Sequence, residues 1–237
     1  MRRLPLLLIA LVTAAAPVRG AGPGVETFGL WFGGLKAGAV SVVAETAEGR
    51  WALAAEGRPA AWLSALYSAR LSAEGEGSAG ASGPQAGRFL ADLAFGDDRQ
   101  RVEVRRGPDG VPEVRAEPAF RPRPWEIDPA AQGDAEDPTS LAAALLAPTP
   151  PEALCGWERA IFDGRRRSRV TLGAVARDGA GLWRCEGRWE RVAGYREAHL
   201  ERGPVPLTAW FAEGGDGLAR LVRVEVRTGW GVAVAAR

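Results

Sequence analysis

Residues 157–192 read WERAIFDGRRRSRVTLGAVARDGAGLWRCEGRWERV, and this stretch decides the fold. Three runs of alternating apolar and charged residues are separated by two turn signals, Asp163-Gly164 and Arg177-Asp178-Gly179. Asp-Gly between such runs marks a hairpin, because glycine adopts the backbone conformation that a tight turn needs. The stretch therefore predicts three antiparallel strands over residues 157–162, 166–175 and 182–192.

The same pattern extends in both directions along the chain. Val222, Val224 and Val226 alternate with charged residues in the clearest strand of the C-terminal part, and Gly33-Gly34 marks a hairpin near the start. The remaining predicted strands are residues 25–32, 35–46, 51–55, 89–95, 100–106, 111–116, 206–212, 218–227 and 231–235. Short strands at regular spacing predict a mainly β protein with a single curled antiparallel sheet: a half-barrel, a barrel or a sandwich.

One or two short helices are expected beside this sheet. Pro59 is followed by apolar residues at spacings of three and four through Leu71, which is typical of an amphipathic helix. Asp137-Pro138-Thr139-Ser140 precedes an Ala/Leu run, with Ser140 or Thr139 as the expected N-cap. The Gly- and Ser-rich residues 75–87 predict a flexible loop, and the proline-rich residues 118–138 predict an irregular connector.

The first twenty residues have the pattern of a secretory signal peptide. Arg2 and Arg3 precede an apolar run of 13 residues from Leu4 to Ala16, and Val18-Arg19-Gly20 provides small residues for cleavage after Gly20. That run is too short to cross a bilayer comfortably, which takes roughly 20 residues. The sequence thus predicts export to the periplasm and a single β-rich domain over residues 21–237 that does not span the membrane.

The charge of the expected mature chain limits the partner classes. The sequence has 30 basic and 29 acidic residues, and cleavage after Gly20 removes three arginines, so 27 basic residues against 29 acidic give −2. A nearly neutral domain argues against nucleic acid as a partner and against non-specific adsorption to anionic lipid.

Two cysteines, Cys155 and Cys185, predict a disulfide in an exported chain. The bridge closes a loop of about 31 residues, which stabilises the fold by roughly 3.5–4 kcal/mol in the chain-entropy account. Two buried free thiols are the alternative.

No catalytic, metal-binding or cofactor-binding set emerges from the sequence. His199 is the only histidine, it lies in a charged stretch typical of a solvated surface, and G-x-S-x-G, Walker and dinucleotide motifs are missing. The acidic residues near Asp97 and Asp134 lack the spacing of a calcium loop. We therefore expect a non-catalytic domain without a metal ion or cofactor.

Tryptophan and arginine are the most distinctive residue types. The nine tryptophans can fill the core of a curved sheet or line an apolar pocket on its concave face, and Trp62, Leu66 and Trp210 are the candidate pocket residues. The basic residues Arg165, Arg166, Arg167 and Arg169 can lie along the flank of a hairpin or bind phosphate or lipid headgroups. The hairpin flank is the favoured interpretation.

Several motifs together resemble the exported proteobacterial family called domain of unknown function 3108. They are Phe28-Gly29-Leu30 with Gly34-Leu35-Lys36-Ala37-Gly38, Asp137-Pro138-Thr139-Ser140, Phe162-Asp163-Gly164-Arg165-Arg166, Val192-Ala193-Gly194-Tyr195 and the strand from Val222 to Thr228. The resemblance covers most of the mature chain and implies export and an antiparallel β architecture. It implies no established activity and no catalytic residues.

These observations predict an exported domain that binds an apolar ligand, such as a lipid, or a segment of an envelope protein. The alternative is a structural or assembly factor of the cell envelope that acts through its outer surface. A hydrolase that uses His199 is a third, less favoured hypothesis.

Overall fold

One antiparallel sheet of thirteen strands forms most of the protein. The computed structural model describes residues 24–65, 68–80 and 83–237. The strands are β1 Glu26–Phe32, β2 Leu35–Ala47, β3 Arg50–Pro59, β4 Ala69–Gly80, β5 Gly83–Phe95, β6 Asp98–Arg106, β7 Pro112–Glu117, β8 Trp157–Phe162, β9 Arg167–Arg177, β10 Trp183–Ala193, β11 Val205–Glu213, β12 Ala219–Thr228 and β13 Gly231–Ala236. The mainly β, single-sheet prediction is confirmed.

Consecutive strands pair with each other except β7 and β8, and β1 also pairs with the last strand, β13. The order across the sheet is β7-β6-β5-β4-β3-β2-β1-β13-β12-β11-β10-β9-β8. The β1–β13 pairing, which includes Trp31 opposite Val234, joins an N-terminal and a C-terminal meander into one surface. Three short helices accompany the sheet: α1 Ala61–Ser64, α2 Pro138–Leu146 and α3 Glu197–Leu200.

The sheet curls until its two ends approach each other but do not pair. Phe162 of β8 shares a buried cluster with Phe89, Val102 and Val104 from the opposite end. The end strands β7 and β8 have no ladder between them in the described parts of the chain. The architecture is therefore an open, barrel-like sheet.

The irregular residues 118–138 fill the opening between the sheet ends. Glu136 forms a parallel bridge with Ile161, so part of the free edge of β8 is hydrogen-bonded. Arg106 of β6 donates to the carbonyl oxygens of Gly110 and Ala135. Arg167 of β9 forms an ion pair with Asp134 at 2.6 Å. The connector thus links the two ends of the sheet by side-chain and backbone contacts.

Helix α2 lies against the concave face and joins the apolar clusters of both halves. Its residue Ala143 packs with Trp51 and Leu53, and Leu145 packs against the cluster of the C-terminal strands. Asp137, 1% exposed, is the N-cap and accepts hydrogen bonds from the backbone of Thr139 and Ser140. The N-cap prediction of Ser140 or Thr139 was therefore wrong by two or three residues.

Two local predictions around β4 were wrong. The expected helix through Leu71 ends as a single turn, α1, and Leu71 itself lies on β4. Within the expected loop of residues 75–87, the described residues belong to β4 and β5. The loop was expected because this strand is rich in small residues that usually mark loops, whereas the helix was expected from the spacing of apolar residues, the last of which lies on β4.

Packing against α2 explains those small residues. A Cβ at Gly75 would overlap the side chain of Thr139 in α2 and lie 3.0 Å from the ring of Trp51. A Cβ at Gly77 would collide with the carbonyl oxygen of Gln85 on β5. The glycines therefore let a helix and a tryptophan approach the sheet closely, which a local turn pattern does not reveal.

The predicted signal peptide, residues 1–20, lies outside the described residues. Within the described ranges, no helix is long and apolar enough to cross a membrane.

Candidate functional site

A cavity of about 530 Å³ opens between α2 and the concave face of β8, β9 and β10. The register explains which side chains meet there, because Trp189 and Arg191 of β10 lie opposite Val170 and Ser168 of β9. Directly paired residues project from the same face of an antiparallel sheet. The lining residues thus come from adjacent positions on one face, covered in part by the first turn of α2.

One wall of the cavity is apolar. It consists of Pro138, Leu141, Ile161, Val170 and Trp189. Ile161 and Val170 are buried, which ties this wall to the core of the sheet.

The remaining six lining residues are polar, and two of them are arginines. They are Asp163, Arg166, Ser168, Arg191, Tyr195 and His199. Arg191 lies over the ring of Trp189 at 4.7 Å, and Arg166 lies over the ring of Tyr195 at 5.4 Å. Stacking on an aromatic face fixes a guanidinium while its edge keeps free N–H donors.

Arg191 carries an unusual donor. Its Nη1 atom is buried and has no hydrogen-bond partner among the residues that the structure describes. A buried donor without a partner is unfavourable by about 1–3 kcal/mol, and more when the group is charged. Arg191 also lines a second cavity, of about 730 Å³, with Arg202, Arg227 and Trp230. Arg191 therefore lies in the wall between the two cavities.

The arginines around this cavity form no ion pairs with nearby acids in the described ranges. Arg166, Arg191, Arg196 and Arg202 all act on His199, and none of them has an ion-pair partner in the described ranges. Asp163 accepts hydrogen bonds from the backbone N–H groups of Arg165 and Arg166, which closes the turn after β8. The cavity mouth consequently holds guanidinium groups that form no ion pairs within the described ranges.

The titratable groups of the cavity respond to this environment. Loss of solvation and then the charge of Arg202 and the other arginines lower the pKa of His199. Burial raises the pKa of Tyr195, and the carboxylate of Asp163 acts in the same direction. Near neutral pH the site therefore offers a phenol that keeps its proton, beside several guanidinium groups.

Three motifs noted in the sequence converge at this cavity. Pro138 belongs to the Asp137–Ser140 motif, Asp163 and Arg166 to the Phe162–Arg166 motif, and Tyr195 to the Val192–Tyr195 motif. They are far apart in the chain and meet because the sheet curls around α2.

No family model matches the chain. No curated protein matches it either. The resemblance to domain of unknown function 3108 therefore stays a prediction. Among solved structures, the chain is similar to a β-barrel-like protein of domain of unknown function DUF1849 from Brucella abortus, at 9% identity. The alignment covers 90% of this chain and 95% of that chain with a TM-score of 0.49. A similarity at this level supports no conclusion about the function of this protein.

Trp62 and Trp210, two of the three candidate pocket residues, do not line the cavities described above. Trp62 of α1 is 51% exposed and donates a hydrogen bond to the carbonyl oxygen of Lys36 at 2.8 Å. Trp210 of β11 is half-buried with Arg223 over its ring at 5.1 Å. Leu66 lies outside the described residues. The apolar pocket of these three residues stays a prediction, and the structure contains a different cavity.

The sequence analysis did not predict that Trp189 and Arg191 line the same cavity. A signal was available, because the two residues are two positions apart on one strand and so share a face. Their common cavity depends on α2, which arrives from 50 residues earlier in the chain.

The predicted disulfide between Cys155 and Cys185 is present. Cys185 lies on β10 and is fully buried beside Leu172 and Phe211. The bridge therefore anchors the loop that follows α2 to the strand that carries Trp189 and Arg191.

The arginines of the basic run, residues 165–169, have two different roles. Arg165 pairs with Glu126, Arg167 with Asp134, and Arg169 with Glu158 and Glu190. These contacts agree with the hairpin-flank interpretation, whereas Arg166 faces the cavity.

Exposed apolar side chains gather at the same end of the sheet as the cavity mouth. Eight large hydrophobic residues are exposed in the described ranges, and six of them lie at this end: Phe32, Leu35, Trp62, Phe95, Leu200 and Trp230. Trp230, 85% exposed, follows β12 directly across from the β1–β2 turn. We call these six residues the apolar rim. No group of three or more potential metal ligands occurs in the described residues.

Proposed function

We propose that this protein is an exported, non-catalytic periplasmic domain that binds an apolar ligand in the cavity between α2 and β8–β10. The observation that supports this proposal most directly is the apolar wall from Leu141 to Trp189 in a cavity of about 530 Å³. Ligand pockets usually have volumes of about 300–1,000 Å³ and mostly apolar walls with a few polar groups. The disulfide supports an oxidising compartment, as expected for an exported chain.

The motif positions support the same proposal. Three of the motifs that resemble domain of unknown function 3108 contribute residues to this cavity. The family resemblance and the proposed site therefore concern the same part of the molecule.

Filling the cavity tests the proposal. Leu141→Trp places a larger ring where Leu141 lines the cavity, and we expect it to lower the affinity for a twelve-carbon probe, dodecanol, at least tenfold. Val25→Trp is the matched control, because Val25 is 65% exposed at the opposite end of the sheet. Calorimetric titration measures both affinities.

A second measurement keeps the proposal testable if Leu141→Trp folds poorly. Protein purified from the periplasm is extracted with organic solvent, and the extract is analysed by mass spectrometry. An amphiphile in stoichiometric amount supports the proposal. A protein that is always empty and that binds no dodecanol contradicts it.

The apolar rim favours a second candidate function, an envelope factor that contacts a lipid surface through its outer face. Tryptophan and other apolar side chains at turn tips insert into the interface of a bilayer, and nearby cationic groups favour anionic headgroups. Trp230, Leu35 and Phe32 provide the apolar group, and the unpaired arginines at the cavity mouth provide the charge.

Vesicle sedimentation tests this candidate. We expect Trp230→Ser with Leu35→Ser to reduce binding to vesicles that contain phosphatidylglycerol severalfold, while Val25→Ser at the opposite end has no effect. Equal binding by all three proteins, or no binding by the unmodified protein, would contradict it.

A further inference from the structure

We infer that the cavity receives an anionic amphiphile, whose carboxylate or phosphate headgroup binds at Arg191, Arg166 and Tyr195 while its hydrocarbon chain lies along the wall from Leu141 to Trp189. This inference rests on the proposed function and specifies its ligand class.

The unpartnered donor of Arg191 is the first support. Its Nη1 atom is buried at the cavity wall without a partner in the described ranges, so the free protein retains an unsatisfied charged donor. A headgroup oxygen would satisfy it once the guanidinium turns toward the cavity on binding, and a neutral hydrocarbon would not. The ring of Trp189 holds this guanidinium in place at 4.7 Å.

The charge around the mouth is the second support. Arg166, Arg191, Arg196 and Arg202 act electrostatically on His199, and none of them forms an ion pair in the described ranges. Asp163 keeps its negative charge while it accepts from the backbone of the turn, and Glu197 and Glu201 are exposed on or beside α3, so the four arginines outnumber these three acids. Elsewhere arginines pair with acids, as in Arg177 with Glu213 and Arg220 with Asp216. Unbalanced guanidinium groups in a concave site attract anions and bind carboxylate or phosphate in a bidentate manner.

The placement of Trp189 beside Arg191 is the third support. Trp189 contributes an apolar ring to the cavity, and Arg191, on the same face of the same strand, contributes a guanidinium group. An amphiphile has the same division between its chain and its headgroup. The side chain of Tyr195, whose pKa is raised by burial, adds a neutral hydroxyl donor beside Arg166.

Probes with one chain and different headgroups test the inference. Dodecanoate, dodecyl phosphate and dodecanol are titrated separately below their micelle concentrations by calorimetry. We expect at least one anionic probe to bind roughly tenfold or more tighter than dodecanol, as expected for a hydrogen bond to a charged group. Comparison of the two anions separates a carboxylate site from a phosphate site, and phosphatidylglycerol vesicles show whether a membrane can supply the ligand.

Variants of Arg191 locate the headgroup. Arg191→Gln is expected to lower the affinity for the anionic probe about tenfold and to change the affinity for dodecanol less than about twofold. Arg191→Lys retains the charge and keeps most of the preference. Arg177→Gln is the matched control, because Arg177 also stacks on a tryptophan, Trp183 at 3.9 Å, but at the opposite end of the sheet.

The outcomes separate this inference from the proposed function. If dodecanol binds as tightly as both anions, or Arg191→Gln retains the preference, the inference is overturned and the apolar site remains. If no probe binds, both are overturned.

Discussion

Thr139 occupies the space directly above Gly75, so that helix α2 touches strand β4 where the strand has no side chain. The ring of Trp51 borders the same space, 3.0 Å from the position of an added Cβ. This contact sets how closely α2 approaches the sheet, and α2 in turn forms one side of the cavity.

Gly75→Ala is therefore expected to destabilise the protein. The added methyl group must displace Thr139 or Trp51, and overpacking of this kind usually lowers the free energy of unfolding by about 1–3 kcal/mol. Gly179→Ala is the matched control, because an added Cβ there meets nothing within 4 Å. Urea denaturation measures both, and equal stability of the two variants would contradict the close contact.

Asp137→Ala is expected to lower the unfolding free energy by about 2 kcal/mol, at the upper end of N-cap effects, because Asp137 is buried. Its carboxylate accepts from the backbone N–H groups of Thr139 and Ser140 at 2.8 Å and 2.9 Å. Asp128→Ala, which removes an exposed cap from a short 3-10 turn, is the control and is expected to have less than about half that effect. A larger loss of unfolding free energy in Asp128→Ala than in Asp137→Ala would show that α2 does not depend on its cap.

Removal of the disulfide should lower the unfolding free energy by about 3–4 kcal/mol in the chain-entropy account. The bridge joins residues separated by 30 positions, and its loss releases that loop in the unfolded state. Cys155→Ala with Cys185→Ala and chemical reduction of the unmodified protein should give similar losses by urea denaturation. A reductant should leave the double variant unchanged, and sensitivity there would point to another cause.

The ion pairs of Glu103 predict a dependence of stability on pH. A hydrogen bond from Arg88, with a further contribution from Arg105, lowers the pKa of Glu103 in the folded state. A lowered folded-state pKa means that the stabilisation is present above the unfolded value, about 4.3, and is lost as the pH falls through the folded-state pKa. The pairs are partly exposed, so the effect is expected to be small.

Glu103→Gln should therefore be less stable than the unmodified protein at pH 7, with the difference shrinking as the pH falls through the folded-state pKa of Glu103. Denaturant titrations at a series of pH values from neutral to acid measure it. Glu113→Gln on the adjacent strand is the control, since Glu113 is exposed and forms no ion pair with the residues that the structure describes. A difference that persists in acid would indicate a cause other than charge.

Most of the sheet could be predicted because its signals are local. Strand β8 was predicted with its observed bounds, Trp157–Phe162, from an alternating run that ends at Asp163-Gly164. Strand β4 was missed because Gly75 serves a contact with Thr139, far away in the chain, and Gly77 allows a close approach to Gln85 on the neighbouring strand. A residue chosen for a distant contact resembles a loop residue when only its neighbours are considered.

The candidate site depends even more on contacts between residues that are far apart in the chain. The sequence singled out Trp62, Leu66 and Trp210 because large apolar residues near a helix or on a strand can line a pocket. That pocket stays a prediction, and the cavity that the structure describes brings together Leu141, Trp189 and Arg191, which come from α2 and β10. Their proximity follows from the curl of the sheet, which no single segment encodes.

By itself the sequence determined the secondary structure class and the antiparallel connectivity of adjacent strands, because alternating residues and turn residues act over short distances. It also determined the cysteine pair, because two thiols allow only one pairing. Only the tertiary structure decided the β1–β13 pairing, the close approach of α2 to Gly75 and the cavity beside Arg191. Those features depend on how far a thirteen-strand sheet curls, which is set by the packing of all its strands around one helix.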